Sequence, residues 1–472
     1  MNSNHPNILF VFSDQQRYSA LGANGNDVIQ TPFLDKLASE GLACDRMYSN
    51  HPLCSPFRAI LLTGQFGWRN GVIDNEYCPR KDIPTLPGIL KKNRYKTGHI
   101  GTFHLGKGPY RKDDRYGYDY LMAQHSGNGY FDNSYFENES GPKTTKGWGP
   151  QVETDSAIEF ITRHSESNSD DPFALFLSWR PPHWPYESYP EEYRVHDPES
   201  IVVPDNVPDQ MKEFSSAEIA QYYDMCTGLD AQMGRLLETL SKLKIKDNTI
   251  IIYTSDHGDH LSSHGYGKPR DKWMHHSMRA SKATPYEESI HVPFIISWPN
   301  RIPYNKRSKA FMSSIDIAPS LLGACGITTP GDFQGRNISS IWRNEPLPIE
   351  LHNEQENLES AYLINMANGW PDRNGWVGRW RAVRTERYTY ARWFGNEYDP
   401  LLFDNLVDPL QQTNIFTSLD SQSTVEELES LLHQWMEKTK DPFEFGQRGP
   451  RGFINIGQKW ADEEKWSAWS TT

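Results

Sequence analysis

The chain has 472 residues, a formal net charge of −13 and an apolar content of 37%. The length exceeds the roughly 250–300 residues that one core usually fills, so more than one domain is expected. The acidic balance argues against a nucleic-acid partner, and no segment approaches the roughly 20 consecutive apolar residues of a membrane-spanning helix. The apolar run Ile8–Phe12 is too short for a signal peptide. The sequence as it stands predicts a cytoplasmic protein, or a periplasmic one if a leader has been removed.

Short apolar runs that end in polar residues predict buried strands. They are Asn7–Phe12, Phe173–Leu177, Thr249–Tyr253 and His291–Ile296. Helical segments lie between them, one opening at Pro32 and a longer one preceded by the capping-box pattern Ser215–Glu218. This alternation predicts an α/β fold, with a large, mainly parallel mixed sheet sandwiched by helices.

Reactive side chains follow three of the predicted strands. Asp14, His183 and Asp256 come directly after, or soon after, the apolar runs. Ligands of parallel sheets bind beyond the carboxyl ends of the strands. We therefore expect these three side chains at one edge of the sheet.

The composition changes in the last quarter of the chain. Residues 346–360 are rich in proline, acid and amide and predict a linker after a catalytic domain formed by residues 1–345. Short strand-like runs then precede a helix that the pattern Ser423–Glu426 predicts to begin. Residues 361–472 are therefore expected to form a small C-terminal α+β domain with an antiparallel sheet and a helix.

The five cysteines are odd in number and lack zinc-site spacing, which favours neither a disulfide framework nor a zinc site. Cys54 stands in Cys-Ser-Pro-Phe-Arg, which ends at Arg58 and is followed by Thr63 and Gly64. Taken alone, this motif is most simply a buried thiol beside a turn proline. Its combination with the strand-end carboxylates is more informative.

Together these motifs resemble the type I sulfatases of the alkaline phosphatase superfamily, and the resemblance runs from Asn7 to about Asp408. In that family a formylglycine-generating enzyme oxidises the motif cysteine, so the resemblance implies Cys54 as precursor and this enzyme as partner. One hydroxyl of the hydrated aldehyde attacks sulfur, and deprotonation of the other releases sulfate. Phe57 fills a position that is commonly small in the family. The resemblance implies a bacterial polysaccharide sulfatase.

The resemblance also implies a divalent-metal site. Its ligands would be Asp14, Gln15, Cys54, Asp256 and His257. Oxygen donors suit Ca²⁺, which is the expected ion, with Mg²⁺ or another divalent ion as the alternative. The family usually has a second aspartate at the position of Gln15 and often asparagine at that of His257, and a histidine nitrogen is not a typical Ca²⁺ ligand.

Four further residues match the catalytic residues of the family. Arg58 would hold the developing oxyanion, and Lys282 corresponds to a sulfate-binding lysine. His104 would deprotonate the hydroxyl that releases sulfate, a step that suits an imidazole titrating near neutrality. His183 would help to protonate the leaving alcohol.

The expected substrate contacts are Thr102, His264, Lys268 and His125. Thr102 replaces a family lysine that normally binds sulfate. His264 and Lys268 lie in a segment rich in basic and aromatic residues, which suits a sulfated sugar in an otherwise acidic chain.

The leading hypothesis is therefore a hydrolase that removes sulfate from a carbohydrate such as carrageenan or a glycosaminoglycan. One alternative is a phosphodiester or phosphonate monoester hydrolase on the same scaffold, which Gln15, His257 and Thr102 favour. Another is an inactive protein that binds sulfated glycans and keeps Cys54 as a thiol. The sequence leaves open the sugar, the sulfate position, exo or endo action and the oligomeric state.

Overall fold

The computed structural model describes residues 5–75, 77–124, 129–167, 169–265, 277–346, 358–367, 378–394 and 398–443. Within these ranges the strands are β1 Asn7–Asp14, β2 Leu42–Cys44, β3 Met47–Tyr48, β4 Lys96–Gly101, β5 Tyr120–Gln124, β6 Ser134–Glu137, β7 Lys143–Thr144, β8 Phe173–Pro182, β9 Thr249–Ser255, β10 Phe294–Ser297, β11 Lys306–Ser308, β12 Met312–Ser313, β13 Ser360–Asn365, β14 Trp380–Thr385, β15 Tyr388–Trp393 and β16 Leu401–Asp404. The helices are α1 Pro32–Ser39, α2 Cys54–Thr63, α3 Gly67–Asn70, α4 Leu86–Lys92, α5 Gly149–Glu166, α6 Asp209–Lys242, α7 Glu287–Ile290, α8 Ser314–Ala324, α9 Ser339–Trp342 and α10 Gln422–Thr439. None of these helices is long and apolar enough to cross a membrane.

A ten-stranded sheet organises most of the chain, in the order β11-β2-β10-β9-β1-β8-β4-β5-β6-β7. The central strands β9, β1, β8, β4 and β5 run parallel, while β10, β6 and β7 pair antiparallel with their neighbours. The predicted mainly parallel mixed sheet is confirmed.

The strand β1 shows why its sequence is apolar throughout. Ile8, Phe10 and Phe12 point into one hydrophobic core, while Leu9 and Val11 point into a second core on the opposite face. Successive side chains of a strand alternate between its two faces, so a strand covered on both sides needs apolar residues at every position. Helices α2, α4 and α8 contribute to the first core, and α1, α5 and α6 contribute to the second.

The C-terminal part forms a separate four-stranded antiparallel sheet, ordered β13-β14-β15-β16, and α10 packs against β14 and β15. Arg381 and Asp441 form a fully buried ion pair here, and the Tyr362 hydroxyl donates to the same carboxylate at 2.6 Å. The predicted antiparallel sheet plus helix is confirmed. Most of the predicted linker lies outside the described residues, so the domain boundaries stay predictions.

Two predicted helix starts are wrong. Helix α6 begins at Asp209, after Pro208, so Ser215 lies inside the helix and does not cap it. Met211 is buried, and burial of its side chain stabilises this added turn without a capping motif. Helix α10 begins at Gln422, which likewise places Ser423 inside the helix.

Candidate active site

The carboxyl ends of three adjacent strands form the floor of the site. Asp14 is the last residue of β1, Asp256 follows β9, and His183 follows β8. Because β9, β1 and β8 are neighbours and run parallel, their carboxyl ends meet at one edge of the sheet. The structure therefore brings together the three side chains that the sequence placed at strand ends.

Four buried side chains converge at this edge. Ligand atoms of Asp14, Cys54, Asp256 and His257 all lie within 4.8 Å of one another. The Cys54 Sγ lies 3.2 Å from His257 Nε2 and 3.6 Å from Asp14 Oδ1. The His257 Nδ1 bonds the carbonyl oxygen of Gly258 at 2.9 Å, so it carries the proton and Nε2 keeps its lone pair. This donor set could hold a divalent cation.

Helix α2 places the motif cysteine in this cluster. Cys54 is its first residue, and Arg58 follows one turn later. The unpaired backbone N–H groups of a helix N-terminus favour negative charge at this position. The Ser55 hydroxyl donates to the carbonyl oxygen of His104 at 2.6 Å, which fixes the start of the helix against the loop that carries His104.

Arg58 bonds the carboxylates of both Asp14 and Asp256. Its Nη2 donates to Asp14 Oδ2 at 3.1 Å and to Asp256 Oδ2 at 3.3 Å. Its Nη1 donates to the Ser178 hydroxyl at 2.7 Å and to the carbonyl oxygen of Thr102. Both terminal nitrogens therefore bond protein groups. The predicted contact between Arg58 and the substrate oxyanion stays a prediction.

Gln15 takes a different position from the other four predicted metal ligands. Its side-chain oxygen accepts a hydrogen bond from Lys282 Nζ at 2.7 Å, and Lys282 Nζ also lies 3.5 Å from Cys54 Sγ. Gln15 contacts the cluster through its backbone N–H, which donates to Asp256 Oδ1 at 2.9 Å. In this structure Gln15 thus positions Lys282 beside the cysteine.

Asp259, which belongs to none of the sequence motifs, completes this arrangement. Its Oδ2 accepts from Gln15 Nε2 at 2.7 Å and from the Tyr186 hydroxyl, and its Oδ1 accepts from the backbone N–H of Leu261 at 3.0 Å. All three partners donate to Asp259, which suits an ionised carboxylate, whereas a protonated acid would leave its own O–H without an acceptor. Burial raises the pKa of this carboxyl, and the hydrogen bonds from Tyr186, Leu261 and Gln15 oppose that shift. The only signal in the sequence was an acidic residue three positions after Asp256.

The two carboxylates of the cluster differ in proton affinity. Burial alone would raise the pKa of Asp14, but the positive charge of His183 in its protonated form, followed by the charges of Lys282 and Arg58, lowers it. Burial and the charge of Asp14 raise the pKa of Asp256 to about 7. Burial also raises the pKa of the Cys54 thiol, so the unmodified side chain is a thiol at neutral pH and a poor nucleophile.

Both predicted catalytic histidines are neutral at pH 7. Burial, reinforced by the charge of Arg58, lowers the pKa of His104 to about 3. Burial, reinforced by Lys282, lowers the pKa of His183 to about 3. The expectation that His104 titrates near neutrality is therefore wrong, because its ring is removed from water. The His183 Nδ1 bonds the carbonyl oxygen of Trp184 at 2.8 Å, which leaves Nε2 as an acceptor.

The four residues predicted to contact the substrate do not all lie in the cluster that contains Cys54. The carbonyl oxygen of Thr102 accepts a hydrogen bond from Arg58, and its buried hydroxyl has no hydrogen-bond partner among the described residues. His264 is stacked on Tyr286 with ring centroids 4.1 Å apart, and its Nε2 faces Glu288 at 3.4 Å. His125 and Lys268 lie outside the described residues. Their contacts with substrate stay predictions.

Comparison with known proteins agrees with this geometry. Residues 6–327 match the sulfatase family, and residues 279–438 match the C-terminal region of N-sulphoglucosamine sulphohydrolase. An ulvan-active sulfatase from Formosa agariphila is 31% identical over 93% of this chain and 82% of its own length. An endo-4-O-sulfatase from Bacteroides thetaiotaomicron is 27% identical over 93% of both chains. The crystal structure of a putative sulfatase from Bacteroides fragilis superposes with a TM-score of 0.80 at 28% identity, covering 94% of this chain and 98% of that one. The chain therefore belongs to the sulfatase family and is a sulfuric ester hydrolase.

Proposed function

We propose that this sulfatase removes sulfate from a sulfated polysaccharide by means of a formylglycine formed from Cys54. The observation that carries the proposal is the setting of Cys54, which opens helix α2 within 4.8 Å of ligand atoms from two aspartates and a histidine. Lys282 Nζ approaches the same sulfur at 3.5 Å. The unmodified thiol is not an effective nucleophile here, so a modification that replaces sulfur by oxygen supplies the missing reactivity.

The surrounding residues suit sulfate transfer. A divalent cation held by Asp14, Asp256 and His257 would act as a Lewis acid on the sulfate oxygens. Lys282 adds positive charge beside the reacting atom. His104 is neutral and can accept the proton whose loss releases sulfate.

His183 needs a proton before it can give one to the leaving alcohol. The folded protein holds it neutral, with Nε2 as a lone-pair acceptor. An incoming sulfate ester brings negative charge to the site, which raises the pKa of a neighbouring imidazole. We therefore propose that substrate binding itself promotes protonation of His183.

We propose Ca²⁺ as the metal, with Mg²⁺ or another divalent ion as the alternative. After modification the cluster offers oxygen from residue 54 and from both aspartates, which suits a hard cation. The nitrogen of His257 favours softer ions by comparison. Removal of metal with a chelator should abolish sulfate release, and Ca²⁺ should restore it better than Mg²⁺, Mn²⁺ or Zn²⁺. Restoration by Zn²⁺ alone would contradict this choice.

The central experiment is mass spectrometry of the Cys54 peptide after co-expression with a formylglycine-generating enzyme. We expect the aldehyde at Cys54, while the buried Cys226 in the same digest remains a thiol. The converted protein is then incubated with ulvan, carrageenan and glycosaminoglycan fragments, and released sulfate is measured against a Cys54→Ala control. A persistent thiol at Cys54, when a known sulfatase is converted in the same cells, would overturn the proposal. Conversion without sulfate release from any glycan would overturn the substrate class alone.

A phosphodiester or phosphonate monoester hydrolase is the second candidate. It is favoured by His257 in the cluster, by Gln15 facing Lys282, and by Thr102 where the family has a lysine. The ratio of kcat/KM for an aryl sulfate to that for an aryl phosphodiester separates the two. A ratio well above one supports the sulfatase, and a ratio well below one supports the second candidate.

A further inference from the structure

The loop that carries Lys282 has an unfavourable backbone conformation directly after that lysine. Ala283 has a φ of 65°, in the left-handed region that residues with a side chain rarely adopt. Such a conformation persists only where the surrounding contacts hold it. The position of Lys282 therefore depends on what holds Ala283.

Two hydrogen bonds hold the backbone of Ala283. Its N–H donates to the carbonyl oxygen of Pro52 at 3.0 Å, and its carbonyl oxygen accepts from Trp380 Nε1 at 3.0 Å. Because Pro52 lies two residues before Cys54, the first bond ties the lysine loop to the segment that leads into helix α2. Ala283 is fully buried, so water does not replace either bond when it is lost.

Trp380 belongs to the C-terminal sheet. It is the first residue of β14, and its side chain is fully buried in a core that also contains Trp393 of β15 and Ile290 of α7. An indole has a single N–H donor and no acceptor. Close packing fixes the ring and therefore the direction of that N–H group. The C-terminal sheet thus sets the place of the Ala283 carbonyl oxygen.

We propose that Trp380 is a positioning residue that holds Lys282 beside residue 54, an inference that rests on the role of Lys282 in the proposed function. A lysine side chain is long and flexible, so its charge is placed only when both ends are held. Gln15 holds the Nζ end through a hydrogen bond of 2.7 Å, which leaves Nζ 3.5 Å from Cys54 Sγ. Trp380 holds the backbone end through Ala283. Because Trp380 is fully buried, it acts through this loop and does not contact the substrate.

The test removes the N–H donor but keeps an aromatic ring, by means of Trp380→Phe in the full chain converted to its formylglycine form. Trp435→Phe is the matched control, because Trp435 Nε1 donates to the Ser360 hydroxyl at 2.9 Å in the same C-terminal part of the chain, where both groups are buried. Each variant loses one buried N–H bond, so the two urea midpoints should fall by similar amounts. The value of kcat/KM for an aryl sulfate should fall about tenfold in Trp380→Phe and by less than about twofold in Trp435→Phe. Equal losses of activity in the two variants would overturn the proposal.

A second comparison asks whether Trp380 acts through Lys282. In the Lys282→Met enzyme, adding Trp380→Phe should lower kcat/KM by less than about twofold, because the charge that Trp380 positions is already absent. A further loss of about tenfold would overturn the proposal, since a general loss of packing acts in either background. If Trp380→Phe does not fold, 3-benzothienylalanine at position 380 replaces it in every comparison, because its ring has the shape of indole with sulfur in place of the N–H group.

Amide hydrogen exchange tests the contact without a substrate. Trp380→Phe should speed exchange of the Ala283 N–H about tenfold or more, measured by mass spectrometry on a peptide spanning residues 279–290, and Trp435→Phe should leave the wild-type rate. Unchanged exchange in Trp380→Phe would overturn the proposal. If exchange is faster as expected but the wild type releases sulfate from neither an aryl sulfate nor a glycan, Trp380 anchors the loop as inferred and the proposed function fails.

Discussion

Asp259 offers a sharp test of how the site is held, through the substitution Asp259→Asn. The wild-type carboxylate accepts hydrogen bonds from three donors: Gln15 Nε2 at 2.7 Å, the Tyr186 hydroxyl, and the Leu261 N–H at 3.0 Å. Asparagine has the same shape but only one side-chain oxygen. Its NH₂ group must therefore face at least one of these donors, whichever way the amide is turned.

The size of the effect follows from this count. One buried donor without an acceptor costs about 1–3 kcal/mol, and the remaining bonds lose their charge assistance, which is roughly half of their strength. We expect the free energy of unfolding to fall by roughly 2–4 kcal/mol. The Gln15 side chain also loses its anchor, so Lys282 is held less firmly beside Cys54. We expect kcat/KM for sulfate release to fall about tenfold or more.

Urea unfolding and sulfate-release kinetics measure the two effects. Asp197→Asn is the control, because Asp197 is an exposed residue that caps a short turn through the Glu199 N–H at 3.0 Å. It should cost no more than about 1 kcal/mol and leave kcat/KM unchanged. The reasoning is refuted if Asp259→Asn unfolds at the wild-type urea concentration and hydrolyses substrate at the wild-type rate.

Three further predictions concern stability. Asp441→Asn removes the ion pair of Asp441 with the buried Arg381 and should lower the free energy of unfolding in urea by about 3–5 kcal/mol. A decrease below about 1 kcal/mol would contradict this prediction. Phe57→Ala opens a cavity in the core, because Phe57 is fully buried, and should lower the free energy of unfolding by about 3–5 kcal/mol in the same assay. An unchanged urea midpoint would contradict the placement of Phe57 in the core. Burial alone would raise the pKa of Glu287, but Arg384 helps to lower it to about 2 from an ordinary value of 4.5. The contribution of ionised Glu287 to the free energy of unfolding is therefore complete above about pH 4.5 and is lost as the pH falls toward 2. Glu287→Gln should flatten the pH dependence of the free energy of unfolding between these two pH values. An identical slope in the variant and the wild type would refute this assignment.

Much of the fold could be predicted from the sequence, because the local pattern of apolar residues coincides with the residues that are buried. The strand β1 is apolar at each position from Ile8 to Phe12, and only a strand covered on both faces requires that pattern. The helix starts were less accurate, since the burial of Met211 extends α6 beyond the predicted capping box. Tertiary packing outweighs a cap that contributes only about 1 kcal/mol.

Some residues of the candidate site were also predictable from the sequence, and others were not. Asp14, Asp256 and the Cys54 motif were identifiable because each carries a local signal: two strand ends and a spaced cysteine motif. The role of Asp259 depends on a chain of side-chain hydrogen bonds that runs through Gln15 to Lys282, which no local pattern encodes.

The sequence by itself determined the α/β architecture, the sulfatase motifs and the strand edge where they meet, because these follow from short-range periodicity and residue identity. Only the tertiary structure decided that Gln15 holds Lys282, that Arg58 bonds the two carboxylates, and that His104 and His183 are neutral at pH 7. Those properties depend on burial and on distances between residues far apart in the chain. They arise only when the strands and loops are assembled.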